Sequence, residues 1–149
     1  MVALVPGTEE YTCTLKLFQD TMSGASWQVE GIERIQKKFH HEGFYVNLNA
    51  SKAKWGDQFD ELRMVRTLFH GTSSSAAKEI INGDHGFLPH LSGERVGQIF
   101  GVGTYFARDA KYSHQFAETM KGGSKKLFLV KVISLSHLLC PLVGRLNCF

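Results

Sequence analysis

The chain has little with which to crosslink itself or chelate a metal. Its cysteines, Cys13, Cys140 and Cys148, are odd in number, widely spaced and form no paired C-x-x-C motif. That argues against a disulfide framework and a zinc knuckle, and points to a reducing compartment. His85 and His90 stand five positions apart with nothing to complete a tetrahedral set, so no metal is expected. Apolar runs are short as well. No window approaches the roughly 18 apolar residues of a membrane span, and Met1 to Pro6 has neither the basic nor the apolar region of a signal peptide. Lys37-Lys38 and Lys125-Lys126 are the only basic doublets in a chain of net charge +3, too thin a patch to follow a phosphate backbone, so no direct nucleic-acid partner is expected. Neither a G-x-x-x-x-G-K-[ST] phosphate loop nor a G-x-S-x-G nucleophile elbow occurs. Gly101-Val102-Gly103 has Phe106 where a dinucleotide fingerprint needs its third glycine. What remains is ordinary for one intracellular globular domain: 149 residues, 43% hydrophobic, 21% charged.

Taken in order, Tyr11, Cys13, Leu15 and Leu17 share one parity, with Thr12, Thr14 and Lys16 between them, which predicts a half-buried strand over 9–18. Residues 23–26 read as a turn. Over 27–36, Val29, Ile32 and Ile35 are spaced as in a helix, but Gly31 and the β-branched residues favour an extended segment, and a strand is expected. A helix is expected within 37–40 or 52–65, the latter with Phe59, Leu62, Met64 and Val65 turned inward. Arg66 to Phe69 predicts a strand running into His70, Gly71 and Thr72. Ser73 to Ser75 can cap a short helix over 76–81 that Asn82-Gly83 stops. Residues 88–100, broken by Pro89, Ser92-Gly93 and Gly97, read as a loop of a length that commonly serves as a lid. Residues 101–107 read as a turn feeding a short buried strand, 109–120 as a helix and 126–135 as a strand.

The candidate chemistry lies at the end of the 66–69 strand. A strand delivers the His70 imidazole to a fixed place, and Gly71 lets a ligand press against bare backbone, an arrangement suited to a flat, polar small molecule. Tyr105 and Ser113 complete the candidate set. Each has a plain alternative: a histidine ending a strand is usually structural, a tyrosine in an aromatic strand can be core, and most helix serines lie at the surface.

As an ordered set, LFHGT (68–72), GVGTYFARDAKYS (101–113) and LFLVKVI (127–133), preceded by EY (10–11), Phe18 and IERIQ (32–36), resemble the catalytic domain of the poly(ADP-ribose) polymerase family, and most closely its mono-ADP-ribosylating branch. The resemblance covers roughly residues 4–135, the expected catalytic domain, with 136–149 a divergent tail. It implies an α+β fold of the diphtheria-toxin-like ADP-ribosyltransferases: two small packed antiparallel sheets with short helices around an NAD cleft. It implies an enzyme that uses NAD+ as co-substrate, without a metal, to place ADP-ribose, as a single unit, on protein side chains in the nucleus or cytoplasm. Carried over residue by residue, His70 would meet a ribose hydroxyl and Gly71 would pair its amide and carbonyl with the nicotinamide carboxamide. Tyr105 would stack on the nicotinamide ring and Ser113 would add a hydroxyl to the same carboxamide. Phe116 would cover the other ring face, and Thr72, Phe106 and Ala107 would line the same pocket. Residues 88–100 correspond to the loop that covers the dinucleotide. The third position of the family triad and its closing strands have no counterpart in this sequence, which leaves a catalytically impaired NAD-binding or interaction module as the alternative, with truncation as its expected cause. RNA 2′-phosphotransfer on the same core would need a set of basic residues that is not seen.

Overall fold

The computed structural model describes residues 1–24, 27–84, 86–87 and 103–134, together with the backbone pairing of 144–145. The elements in order are β1 (Val2–Ala3), α1 (Glu9–Thr21), β2 (Glu33–Arg34), α2 (Lys38–Trp55), a 3-10 turn (Gly56–Gln58), α3 (Glu61–Met64), β3 (Val65–Gly71), α4 (Ser74–Asn82), β4 (Tyr105–Phe106), α5 (Ala110–His114), β5 (Leu127–Ile133) and β6 (Gly144–Arg145). The fold is α+β, as expected. β3 and β5 pair antiparallel over their whole lengths, from Val65↔Ile133 to Gly71↔Leu127. A bridge between Phe69 and Ala107 ties the other edge of β3 to the β4 region, where β4 pairs with β6. β1 and β2 form a separate antiparallel pair.

Alternation along β3 divides the core in two. Leu68 packs with Phe106 and Val132 on one face, with Phe87 and Val130 against them. Phe69 turns to the other face, where it meets Met22 and Ala110 beneath Leu17, Phe18, Leu127 and Leu129. That second cluster is how α1 and α5 are held against the sheet. Thr21 adds a polar tie, its Oγ1 accepting from the Ala110 amide at 3.1 Å.

Several expectations are corrected here. Residues 9–18 form the helix α1, not a strand. Thr8 caps it by accepting from the Tyr11 amide, and Glu9 and Glu10 complement its first turn. Tyr11, Leu15, Phe18 and Met22 recur at helical spacing, and this 3.6-residue period won over the period of two that Tyr11 and Leu15 also satisfy. Residues 27–36 are mostly irregular, with only Glu33–Arg34 pairing as strand. The central helix, α2, begins where the first expected helix window lay and continues to Trp55, where Gly56 at φ +49 ends it. In the second window Met64 is buried, Phe59 and Val65 are partly so, but Leu62 is 94% exposed. Asp60 caps α3 through the Leu62 and Arg63 amides, and that short helix turns Leu62 outward.

The β3 and β5 strands and α4 with its Ser73 cap form as expected, Ser73 Oγ accepting from the Ala76 amide at 3.3 Å. The helix expected over 109–120 is shorter, ending at His114. The 88–100 loop lies outside the described residues.

Candidate active site

β3 ends at the site, and ladder geometry decides what it offers there. Phe69 exchanges both backbone hydrogen bonds with Ala107, donating at 2.7 Å and accepting at 2.9 Å. In an antiparallel ladder, alternate residues turn their amide and carbonyl to alternate edges. Gly71, two residues on, therefore presents both groups on that same edge, away from β5, and no backbone group among the described residues meets them there. A donor and an acceptor side by side on one residue complement a primary carboxamide, which offers an acceptor oxygen beside a donor nitrogen.

His70 turns to the opposite face and is locked in place. Its Nδ1 lies 2.8 Å from the Tyr105 carbonyl oxygen. A carbonyl can only accept, so Nδ1 carries the proton and the neutral ring keeps its lone pair on Nε2. Around the ring stand Phe87, Phe106 and Phe128, at centroid distances of 5.2, 5.4 and 6.4 Å. Burial among these rings holds the imidazole below the ordinary histidine range, and the bond to the Tyr105 carbonyl opposes that shift only in part. His70 is thus neutral near pH 7, an acceptor suited to a hydroxyl.

The other expected residues differ in burial and in what they touch. Tyr105 is half-buried, and Ala107, opposite Phe69, is 2% exposed. Phe106 is also 2% exposed and backs His70 as part of the core. Ser113 is buried in α5, and its hydroxyl donates to the Phe69 carbonyl at 2.9 Å. With its hydrogen committed there, Ser113 has lone pairs to offer a ligand. Phe116 is 38% exposed just past α5, its ring 5.3 Å from that of Tyr112. Thr72 accepts at its carbonyl from the Glu118 amide at 3.1 Å.

The sequence reading missed two features. Phe87 and Phe128 join Phe106 around His70, and aromatic residues 41 positions apart give no local signal of that. Gly71 also has a second reason to be glycine. A Cβ there would overlap the Ser113 carbonyl oxygen and sit 2.9 Å from its carbon and 3.0 Å from the Ala117 nitrogen. The side-chain space is filled by the backbone of α5 and the residues just after it, while no backbone group among the described residues meets the amide and carbonyl edge.

A broad groove of about 2160 Å³ runs between α1, residues 27–41 and β5, but His70, Gly71, Tyr105 and Ser113 do not line it. The candidate residues gather at the β3 terminus, outside that groove.

Comparison with known proteins matches residues 8–140 to the poly(ADP-ribose) polymerase catalytic domain. A probable poly [ADP-ribose] polymerase of Dictyostelium discoideum is 30% identical over 138 residues, 89% of this chain and 39% of that protein. Protein mono-ADP-ribosyltransferase PARP11 of Mus musculus is 38% identical over 119 residues, 79% of this chain and 33% of that protein. Protein mono-ADP-ribosyltransferase PARP14 of Homo sapiens is 29% identical over 136 residues, 90% of this chain and 7% of that protein. The chain thus spans about two fifths or less of the length of these curated relatives.

Proposed function

The chain belongs to the poly(ADP-ribose) polymerase catalytic domain family, and on that premise we propose that it binds NAD+ with the nicotinamide at Gly71 and transfers ADP-ribose, one unit at a time, to a protein side chain. The observation that carries this reading is the backbone edge of Gly71, which no backbone group among the described residues meets, beside a histidine whose orientation the Tyr105 carbonyl fixes. The Gly71 amide would donate to the carboxamide oxygen and its carbonyl would accept from the carboxamide nitrogen. The Tyr105 ring would stack on the pyridine, with Phe116 on the other side, and Ser113 would offer a lone pair to the amide. His70 Nε2 would accept from a ribose hydroxyl.

NAD+ supplies the leaving group: nicotinamide departs neutral with the bonding electrons, and the acceptor nucleophile forms the new bond to the ribose carbon and gives up its proton. Positive charge builds on the sugar as the old bond lengthens, as in glycoside cleavage. The residues named here hold the nicotinamide and the ribose in fixed relation, so that the bond between them meets its acceptor without a search for orientation. We assign this catalytic domain to residues 4–135, with 136–149 a divergent tail, and protein acceptors of the nucleus or cytoplasm as its partners.

The test uses the 149-residue protein, adenylate-labelled NAD+ and a protein acceptor mixture, following label incorporation and nicotinamide release. The parent should incorporate label, and His70→Ala and Tyr105→Ala should each lose at least about tenfold, the scale of one good polar or stacking contact. NAD+ binding without incorporation would instead support a binding module. Variants that bind and turn over NAD+ like the parent would refute the site.

A further inference from the structure

One short stretch, residues 113–118, backs the whole turn that carries the Gly71 edge. Ser113 Oγ bonds the Phe69 carbonyl at 2.9 Å, and the Ser113 carbonyl and Ala117 nitrogen pack where Gly71 lacks a side chain. The stretch ends on Glu118, which holds the following turn at two points. Its amide donates to the Thr72 carbonyl at 3.1 Å, and its Oε2 accepts from the Ser74 amide at 2.6 Å. Ser74 opens α4, so that carboxylate also meets one of the amides a helix N-terminus leaves without an intrahelical partner, where negative charge is favoured. Ser73 Oγ serves a different amide, that of Ala76. Between the two Glu118 bonds lies Ser73, and the peptide unit joining Gly71 to Thr72, which carries the Gly71 carbonyl, comes immediately before the first of them.

We infer that Glu118 is a positioning residue for the ligand-facing edge of Gly71. It brackets Ser73, pinning the two peptides that follow Thr72, and so restrains, from its C-terminal side, the adjoining peptide whose carbonyl would accept from the carboxamide. It touches no ligand itself. The backbone half of the bracket is available to any residue, but the side-chain half needs an acceptor that reaches Ser74 from position 118. Glutamine can supply that acceptor. Aspartate, one methylene shorter, cannot reach as far, and alanine supplies nothing. This inference rests on the reading of Gly71 as a carboxamide clamp.

The test is calorimetric titration of the full chain with nicotinamide, for the parent, Glu118→Ala, Glu118→Gln, Glu118→Asp and a remote control, Asp60→Ala, which removes the cap of α3. Thermal melts accompany each. Glu118→Ala should bind nicotinamide about three- to tenfold more weakly, the range for loss of one hydrogen bond of ordinary net strength. Glu118→Gln should stay within about twofold of the parent, because its amide oxygen still accepts from Ser74. Asp60→Ala should melt lower yet bind nicotinamide as the parent does. Where transfer is measured, Glu118→Ala should raise the KM for NAD+ more than it lowers kcat. A Glu118→Ala protein that melts lower but binds nicotinamide with parental affinity overturns the inference, leaving a merely structural cap. If Glu118→Ala does not fold, the pair Glu118→Asp and Glu118→Gln decides: weaker binding in the first with parental binding in the second supports the bracket, and equal binding overturns it. A parent that does not bind nicotinamide refutes the clamp itself, a result distinct from a bound parent with an indifferent Glu118→Ala.

Discussion

Replacing Gly71 by alanine tests whether the site and the core share one wall. The new methyl group would meet backbone atoms: the Ser113 carbonyl oxygen in overlap, its carbon at 2.9 Å and the Ala117 nitrogen at 3.0 Å. Backbone cannot rotate away as a side-chain tip can, so β3 and α5 must separate by roughly an ångström. Overpacking of this kind costs about 1–3 kcal/mol. The same separation stretches the bond from Ser113 Oγ to the Phe69 carbonyl, adding about 1 kcal/mol. A total of about 2–4 kcal/mol corresponds, at this chain length, to a melting temperature lower by roughly 5–15 °C. Urea unfolding followed by circular dichroism should show a lower midpoint with an unchanged slope. Gly43→Ala is the contrasting control. It lies within α2 and a Cβ there meets nothing within 4 Å, so relief of glycine's helix penalty should raise stability by about 0.5–1 kcal/mol. If Gly71→Ala melts with the parent, α5 does not occupy the space described, and the packing reason for this glycine is wrong.

Three further expectations follow from the same contacts. Burial keeps the folded-state His70 below the ordinary histidine range, so well above about pH 6.5 the ring is neutral in both folded and unfolded chains and pH has no effect through it. As pH falls toward and through that value the unfolded chain, half protonated there, takes up the proton first. Stability attributable to His70 should therefore decline with acid until the folded ring also titrates, and His70→Gln should remove that part of the pH dependence of unfolding. Tyr105→Ala should weaken nicotinamide binding by the roughly 1–3 kcal/mol of a stacking contact. The carbonyl that fixes His70 belongs to the backbone and survives, so imidazole NMR should still show Nδ1 protonated. Lys37 Nζ donates to the Asn82 and Gly83 carbonyls at 2.6 and 2.9 Å, closing the C-terminus of α4 from 45 residues away. Lys37→Met should cost about 1–2 kcal/mol, read as a lower urea midpoint, with nicotinamide affinity unchanged.

The parts of the fold legible in the sequence were those with a local cause. β3 (VRTLFHG) and β5 (LFLVKVI) are rich in β-branched, aromatic and leucine residues, and α4 carries a serine cap at one end and Asn82-Gly83 at the other. α1 is ambiguous by periodicity, because Tyr11 and Leu15 fit periods of both two and four, and the deciding signal is the Thr8 cap with its acidic first turn. α2 was hard to see because Gly43, Val46, Asn47 and Asn49 all weaken a helix pattern, and only Leu48 and Ser51 are buried in its 18 residues. The family pattern named His70, Gly71, Tyr105 and Ser113, but the link that joins the histidine to the tyrosine could not be read. It spans 35 residues and ends on a backbone carbonyl, which every residue carries. Glu118 was invisible for the same reason, its carboxylate reaching an amide 44 residues back.

The central claim is that Gly71 offers one donor and one acceptor to a primary amide. Paired calorimetric titrations with nicotinamide and nicotinic acid test it directly, because the two differ only in replacing the amide nitrogen by a carboxylate oxygen. The acid would set that oxygen against the Gly71 carbonyl, leaving an acceptor facing an acceptor. Nicotinamide should bind at least about tenfold more tightly, the discrimination expected when a buried polar group loses its partner. Equal affinity for both compounds, or binding of the acid alone, would contradict the account.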